Sequence, residues 1–388
     1  MSPPTPATGT VIWLSMDKHL HIVSFNVPLP ANYGGVIDVF YRLKSLFEAG
    51  LKIHLHSFTY GRPQVDELKK YCVEVFYYRR NMSPLLHFSR RPFIVCSRDN
   101  DNLRRRLMAD KYPILLEGLH CCSLLEDENF LKDRIVMVRA HNVEANYYSR
   151  LAAGEHNPFR KVYLCLDAVK IRRYESILSR ASAVFAISPN DKMAFERMGC
   201  PKVLLVSGSH PFNDVSSQSG LGTYALYHGN LAVTENRNAV DYLLDNVFFD
   251  EEYPLVIAGN HPSTRLKKKV EKMKNVTLVE NPDDAQMNQL IADAQVNLLV
   301  TNQPTGLKIK LLNSLFAGRH CLVNSDMVRG TGLENLCKIA DTPETLRECL
   351  HMLMQREFDV SQRQQREAVL ASFTTSHAIQ PILNLLDK

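Results

Sequence analysis

Short apolar runs alternate with stretches of helical periodicity along almost the whole chain, and the alternation breaks once, near His210. Strand-like runs fall at 21–25, 52–58, 72–78, 114–118, 134–140, 183–188 and 202–207. Helical patterns lie between them, at about 36–49, 64–71, 99–110, 121–127, 144–151, 159–181 and 189–198. A second series follows, with strands at 224–229, 254–259, 276–280, 296–300, 320–324 and a short 337–340. Its helices are expected at 236–246, 263–274, 284–294, 307–318 and 343–355. Strands joined through helices run parallel, and parallel sheets need helices on both faces. The chain therefore reads as α/β: two Rossmann-like doubly wound domains, with a cleft between their carboxyl strand ends. At 388 residues two domains are also the natural prior.

The interruption, SHPFNDVSSQSGLG, is polar and glycine-rich and predicts a linker over 209–222. The domains then span 16–208 and 223–360, and a final helical stretch, 361–388, is expected to pack back on the first. Residues 1–15 read as a leader outside the fold, without the apolar core of a signal peptide. No apolar run reaches membrane-spanning length. Nine cysteines without a C-x-x-C pair fit reduced thiols in a cytoplasmic protein. The net charge of +5 is mild, but residues 61–111 hold twelve Lys/Arg against six Asp/Glu. The basic 79–106 part of that segment either lies on an anionic membrane face or is a solvated surface. It lacks the aromatic interleaving of a nucleic-acid platform, so nucleic acid is not an expected partner.

The stretch 305–324, TGLKIKLLNSLFAGRHCLVN, reads as loop, helix, turn, strand. Gly306 and Leu307 open it, and free N–H groups at the helix start favour an anion. Lys308 and Lys310 place two ammonium groups in that first turn. Gly318 occupies the position of a left-handed C-cap. In the first domain, Gly34 and Gly35 lie between strand and helix, as in a phosphate-binding opening, although the full G-x-G-x-x-G is missing. Strand 134–140 runs into Arg139, His141, Asn142 and Glu144, and strand 114–118 into Glu117 and His120. These could bind a polar substrate; Glu117 could equally pair with a nearby arginine, and His141 could be satisfied by a carbonyl. His54 and His56 share one strand face, and without a visible third ligand they read as sheet-face histidines rather than a metal site. In the second domain, Gly229 and Asn230 follow the first strand and Gly259 ends the next, leaving room for something flat or phosphorylated.

The order and spacing of these motifs resemble the family 4 glycosyltransferases of the GT-B fold over nearly all of 20–380. The resemblance rests on PANYGG (30–35), RAHNVE (139–144), RASAVFAISPND (180–191), YHGNL (227–231), VIAGN (256–260), ADAQVNLLV (292–300) and GLKIKLLNSLFAGRHCLV (306–323). It implies retaining transfer of a hexose from a nucleoside diphosphate sugar to a glycan or lipid-linked acceptor, as in polysaccharide or lipopolysaccharide assembly. It implies no cofactor beyond that co-substrate, no metal, and a cytoplasmic enzyme able to sit peripherally on the membrane. Gly34 and Gly35 would approach the diphosphate and acceptor, and His141 the donor sugar. Lys308, Lys310 and the backbone at Gly306 and Leu307 would hold the diphosphate.

Two positions depart from the family pattern. Thr305 and Asn313 stand where two glutamates separated by seven residues are common, the second holding the ribose. Asn230, Glu235 and Asn236 occupy the region of a common arginine and lysine. A catalytically weak homologue that binds another transferase, or a nucleotide-sugar epimerase, are the rival expectations.

Overall fold

The computed structural model describes residues 18–155, 157–303 and 308–387. Two all-parallel sheets carry the chain. The first contains β1 (His19–Ser24), β2 (Lys52–Thr59), β3 (Glu74–Arg79), β4 (Ile114–Glu117), β5 (Val136–Ala140), β6 (Ala183–Ala186) and β7 (Val203–Leu205), in spatial order β3-β2-β1-β4-β5-β6-β7. The second contains β8 (Ala225–His228), β9 (Leu255–Gly259), β10 (Val276–Glu280), β11 (Val296–Leu299), β12 (His320–Val323) and β13 (Lys338–Ile339), in order β10-β9-β8-β11-β12-β13. Both orders reverse direction beside their first strand, which opens a crevice at the carboxyl ends.

Every residue of β4, β5, β6, β8, β11 and β12 is buried. Helices cover both faces of these strands, so their sequences are continuous apolar runs rather than alternating ones. Helix Gly34–Glu48 packs Val36, Val39, Leu43 and Leu46 on the first sheet. The last helix, Thr375–Leu386, returns to the same layer, where Ala378, Ile379, Ile382 and Leu383 share a core with Phe40, Leu43 and Leu46. A chain that ends on its own first domain ties the two halves together. Gly208, in the crossing segment, also touches Ile309 of the second half, with a Cβ position 3.6 Å from Ile309 Cγ1.

Some local expectations change. The stretches expected as helices at 64–71 and 121–127 are tight 3₁₀ turns, Asp66–Lys70 and Leu119–Glu126. The long helix expected over 159–181 is α only across Pro158–Tyr174 and tightens into a 3₁₀ turn, Glu175–Arg180. Gly318 is not left-handed: its φ of −86° and ψ of 168° are extended. Glycine is needed there for space, because a Cβ would stand 2.1 Å from Asn297 Nδ2. All nine cysteines are free. Among the described residues no helix is long and apolar enough to cross a membrane.

Candidate functional site

At the carboxyl end of the first sheet, β4 and β5 set Glu117 and Arg139 side by side. Helix Gly34–Glu48 lowers Asp38 and Arg42, one turn apart, onto them. Arg42 donates to both carboxylates, with Nη2 2.8 Å from Asp38 Oδ2 and 2.8 Å from Glu117 Oε2. Arg139 Nε lies 3.0 Å from Asp38 Oδ2, while its Nη groups donate to the carbonyls of Val206 and Ser207. The Ser209 N–H donates to Asp38 Oδ1 at 2.6 Å. All four charged side chains are buried. Burial alone would push the Asp38 carboxyl up, but Arg139 and Arg42 outweigh it and hold the group far below the usual range. The same contest, won by Arg42, holds Glu117 down. Two carboxylates and two guanidinium groups thus cancel, with their hydrogen bonds made.

This corrects the acceptor reading of Glu117 and Arg139. Both are enclosed in an ion network and present no free polar atom to a substrate. Asp38 and Arg42 went unnoticed in the sequence, although a charged i, i+4 pair among Val39, Phe40 and Leu43 on an apolar helix face was a visible signal.

His141 sits over this network, with Nδ1 3.5 Å from Asp38 Oδ2 and Nε2 3.4 Å from Glu117 Oε2. Asp38, Glu117 and His141 are close enough to share a metal ion. Both carboxylates already answer to guanidinium groups, so a cation there would first have to displace an arginine. His141 also meets the Phe25 ring edge-on, with centroids 5.6 Å apart, and His120 lies 5.4 Å from the same ring. Burial drives the His120 imidazole well below the ordinary histidine range, helped by the charge of Arg98. Its Nδ1 is buried without a hydrogen-bond partner. Gly35 admits Phe25, since a Cβ there would stand 2.9 Å from Phe25 Cζ, whereas a Cβ on Gly34 would stand in open space. The His54 and His56 rings are satisfied within the sheet, by His19 and Glu74, and by His21 and Tyr78.

Beyond β5, helix Glu144–Ala153 begins over a cluster of acids. Burial and the neighbouring Glu175 push Glu144 up to about 8, and Asn142 hydrogen-bonds it in opposition. Burial likewise raises Glu175 to about 7 and raises Asp191, which accepts from the Ser188 hydroxyl at 2.7 Å. Glu144 is therefore a protonated acid at neutral pH, able to donate a hydrogen bond.

The second half answers with cations. Helix Ile309–Ala317 starts two residues later than expected, with Lys308 extended at its N-cap. Lys308 Nζ lies 3.6 Å from Glu235 Oε1, and Glu235 also takes a hydrogen bond from the Thr301 hydroxyl. Lys310 Nζ lies 3.0 Å from Asn236 Oδ1 and 3.3 Å from the Tyr227 hydroxyl, over that tyrosine's ring. Burial lowers Lys308 despite Glu235. Burial brings Lys310 down to about 8, with Glu235 opposing and Lys308 adding to the fall. Asp191 and Arg150 of the first half lie near enough to act on the Lys308 charge. Glu235 thus faces both ammonium groups, and Asp191 adds a second carboxylate on the Lys308 side.

The nearby glycines also serve the scaffold. A Cβ on Gly259 would stand 1.9 Å from the Gly229 carbonyl oxygen, and one on Gly229 3.0 Å from Asn236 Nδ2. Asn230 turns its side chain back to the Ala232 N–H. Asn236 does not cap a helix but links the Asn230 carbonyl, Tyr227 and Lys310. Asn313, by contrast, carries a buried side-chain oxygen without a partner. Gly306 and Leu307 lie outside the described residues. A separate cavity of about 320 Å³ opens at the ends of β11 and β12, lined by Asn238, Tyr242, Thr301, Asn324, Asp326 and Asp341. Neither lysine lines it.

No family model matches the chain. It is 25% identical, over 337 residues, to an uncharacterised 44.6 kDa protein in the cps region of Klebsiella pneumoniae; the match covers 80% of this chain and 84% of that protein. Among solved structures it is similar to a UDP-forming α,α-trehalose-phosphate synthase from Burkholderia xenovorans in complex with glucose-6-phosphate, with TM-score 0.63, 11% identity, and coverage of 95% and 100% of the two chains. It is similar to Anabaena HepE in complex with UDP and glucose, with TM-score 0.61, 11% identity, and coverage of 96% and 100%. A glycosyltransferase from Rickettsia africae gives TM-score 0.62, 12% identity, and coverage of 96% and 98%. The fold is therefore GT-B, as these full-length matches and the two facing parallel sheets agree.

Proposed function

We propose that this chain is a retaining, family 4 glycosyltransferase. It moves a hexose from a nucleoside diphosphate sugar to a glycan or lipid-linked acceptor in the assembly of a cell-surface polysaccharide. The observation that carries this reading is Lys310 at the end of the second sheet, enclosed beside the neutral Asn236 side chain and Tyr227 hydroxyl, with burial drawing it down to about 8. Enclosing a positive charge among neutral groups is costly, and a diphosphate beside Lys310 would offset that cost. The GT-B fold, the solved relative that holds UDP, and the match from a cps region support the same direction.

In this reading residues 223–360 bind the donor and residues 16–208 face the acceptor. As the glycosidic bond breaks, charge grows on the departing diphosphate, and Lys308 and Lys310 stabilise it from fixed positions. His141, held over Asp38 and Glu117, orients the sugar from the opposite wall. The unpaired oxygen of Asn313 accepts from a ribose hydroxyl, and Asn142 and protonated Glu144 border the acceptor. Retention follows if the acceptor hydroxyl attacks from the departing side and a diphosphate oxygen takes its proton. No cofactor or metal is required by this scheme. The Asn313 substitution favours a second reading, a catalytically weak binder of another transferase.

Thermal unfolding with UDP, other nucleotides and their sugars separates the two. Nucleotide at a hundred times its dissociation constant should add about 2.7 kcal/mol of stability. A selective shift followed by sugar transfer supports the enzyme, whereas no shift with any nucleotide favours the binder.

A further inference from the structure

Helix Pro158–Tyr174 is apolar on two sides. Its inner side, Leu164, Ala168 and Ile171, is buried against the first domain. Its outer side carries Phe159, 86% exposed, Val162, Leu166, 60% exposed, and Val169. These recur at helical spacing, so one stripe of the helix faces outward with nothing over it among the described residues. An apolar outer face is ordinarily covered in a soluble helix.

A second exposed group adjoins it. The turn Pro84–Phe88 presents Leu85, 77% exposed, and Phe88, 87% exposed. His87 of that turn stacks on Phe93 with centroids 4.2 Å apart and meets the edge of Tyr163 at 5.1 Å. Lys170 donates to the His87 carbonyl at 2.6 Å. The turn and the helix are thus one surface.

The charge around it is predominantly basic, although Arg160 pairs with Glu155 and Arg91 with Asp99 and Glu126. The helix carries Arg160, Lys161, Lys170, Arg172 and Arg173, and its one acid, Asp167, is buried and accepts from the Phe93 N–H. Segment 79–91 contributes Arg79, Arg80, Arg90 and Arg91 and no acid. The basic run Arg104–Arg106 plays another part: Arg104 pairs with Asp99 and Asp127, and Arg106 lies 4.0 Å over the Phe76 ring. Location adds a third argument. Segment 79–88 leaves the carboxyl end of β3, and helices Glu144–Ala153 and Pro158–Tyr174 follow the carboxyl end of β5. That edge of the first sheet carries His141 and Glu144.

We infer that Phe159, Val162, Leu166 and Val169, together with Leu85 and Phe88, form a docking surface for an anionic lipid bilayer beside the cleft. Apolar side chains enter the interface while the basic rim meets lipid headgroups. This deepens the proposed function, because a lipid-linked acceptor would then reach the cleft from the surface the enzyme rests on. The docking itself needs no nucleotide, so its failure is distinguishable from failure of the donor reading.

The test is co-sedimentation of the full chain with phosphatidylcholine vesicles, with and without phosphatidylglycerol, at low and high salt, beside sedimentation velocity of the chain alone. The expected result is binding to the anionic vesicles that weakens with salt. The double variant Phe159→Glu, Leu166→Glu should lose about tenfold or more in partitioning. Its thermal midpoint should match the parent, since both side chains are exposed, and Phe88→Glu gives an independent check. Absence of binding to anionic vesicles, or equal binding by the variants, overturns the inference. So does a parent dimer that the double variant dissolves, which would make the occupant a second copy.

Discussion

At the end of the first sheet two carboxylates meet two guanidinium groups, while at the same end of the second sheet the Lys310 ammonium group is enclosed beside the neutral Asn236 and Tyr227. The first cluster, Asp38, Arg42, Glu117 and Arg139, is buried and neutral, and Val206, Ser207 and Ser209 complete its hydrogen bonds. The second, Lys308, Lys310 and Glu235, is enclosed as well, and burial lowers both lysines, Lys310 to about 8. A buried network whose charges are paired holds a fold in register, whereas a cation enclosed beside neutral groups leaves free energy to be released when an anion arrives. His141 stands on the balanced cluster, so the rigid half aims a ring at a cleft whose other wall is set to bind.

The contrast breaks most visibly at Asp38. Asp38→Asn removes the charge that faces Arg42 and Arg139 together and should cost about 3–5 kcal/mol of stability. Denaturant unfolding checks it, and a loss within experimental error would mean that the network does not hold the fold. On the other side, Lys308→Ala should reduce turnover by about 2–4 kcal/mol of transition-state stabilisation while leaving unfolding nearly unchanged. Unchanged turnover would take Lys308 out of the mechanism.

Glu144 sharpens the comparison through pH. Its folded value, pushed up to about 8, lies above the value of about 4.3 expected unfolded. The folded state therefore holds a proton that the unfolded state has lost, and stability falls as pH rises through that window, by on the order of 1 kcal/mol per unit. Glu144→Gln should flatten this slope in thermal unfolding between pH 5 and 8, each read to about 0.1 unit. A variant whose slope matches the parent would show that Glu144 is ionised in the fold. The smallest effect belongs to Asn313→Ala, which should weaken nucleotide affinity by about 1 kcal/mol by calorimetry. Equal affinity would remove Asn313 from the ribose contact.

Much of the architecture was legible because parallel strands covered on both faces leave unbroken apolar runs, as at Ile114–Leu116 and Val136–Val138. Lys308 and Lys310 were legible because cations at a helix start after a glycine are unusual. The Asp38–Arg42 pair was missed because a charged i, i+4 pair normally marks a solvent face, and only the tertiary approach of Glu117 and Arg139 makes it internal. Gly229 and Gly259 were read only as room for a ligand, and Gly318 as a left-handed C-cap, because the neighbours that crowd them are brought in by the fold. A glycine that admits a ligand and one that admits a neighbouring strand look alike until the neighbour is in place. The outer face of Pro158–Tyr174 was hidden by its inner one, since apolar residues all round a helix carry no sidedness in sequence.

The central claim is that Lys310 is held at a cost that an anionic ligand repays. The direct measurement is thermal unfolding of Lys310→Met and the parent, each with and without UDP. The variant alone should be as stable as the parent or more so, and its UDP-induced shift should be lost. A variant that unfolds early, as expected of Asp38→Asn, yet keeps the full UDP shift would contradict it.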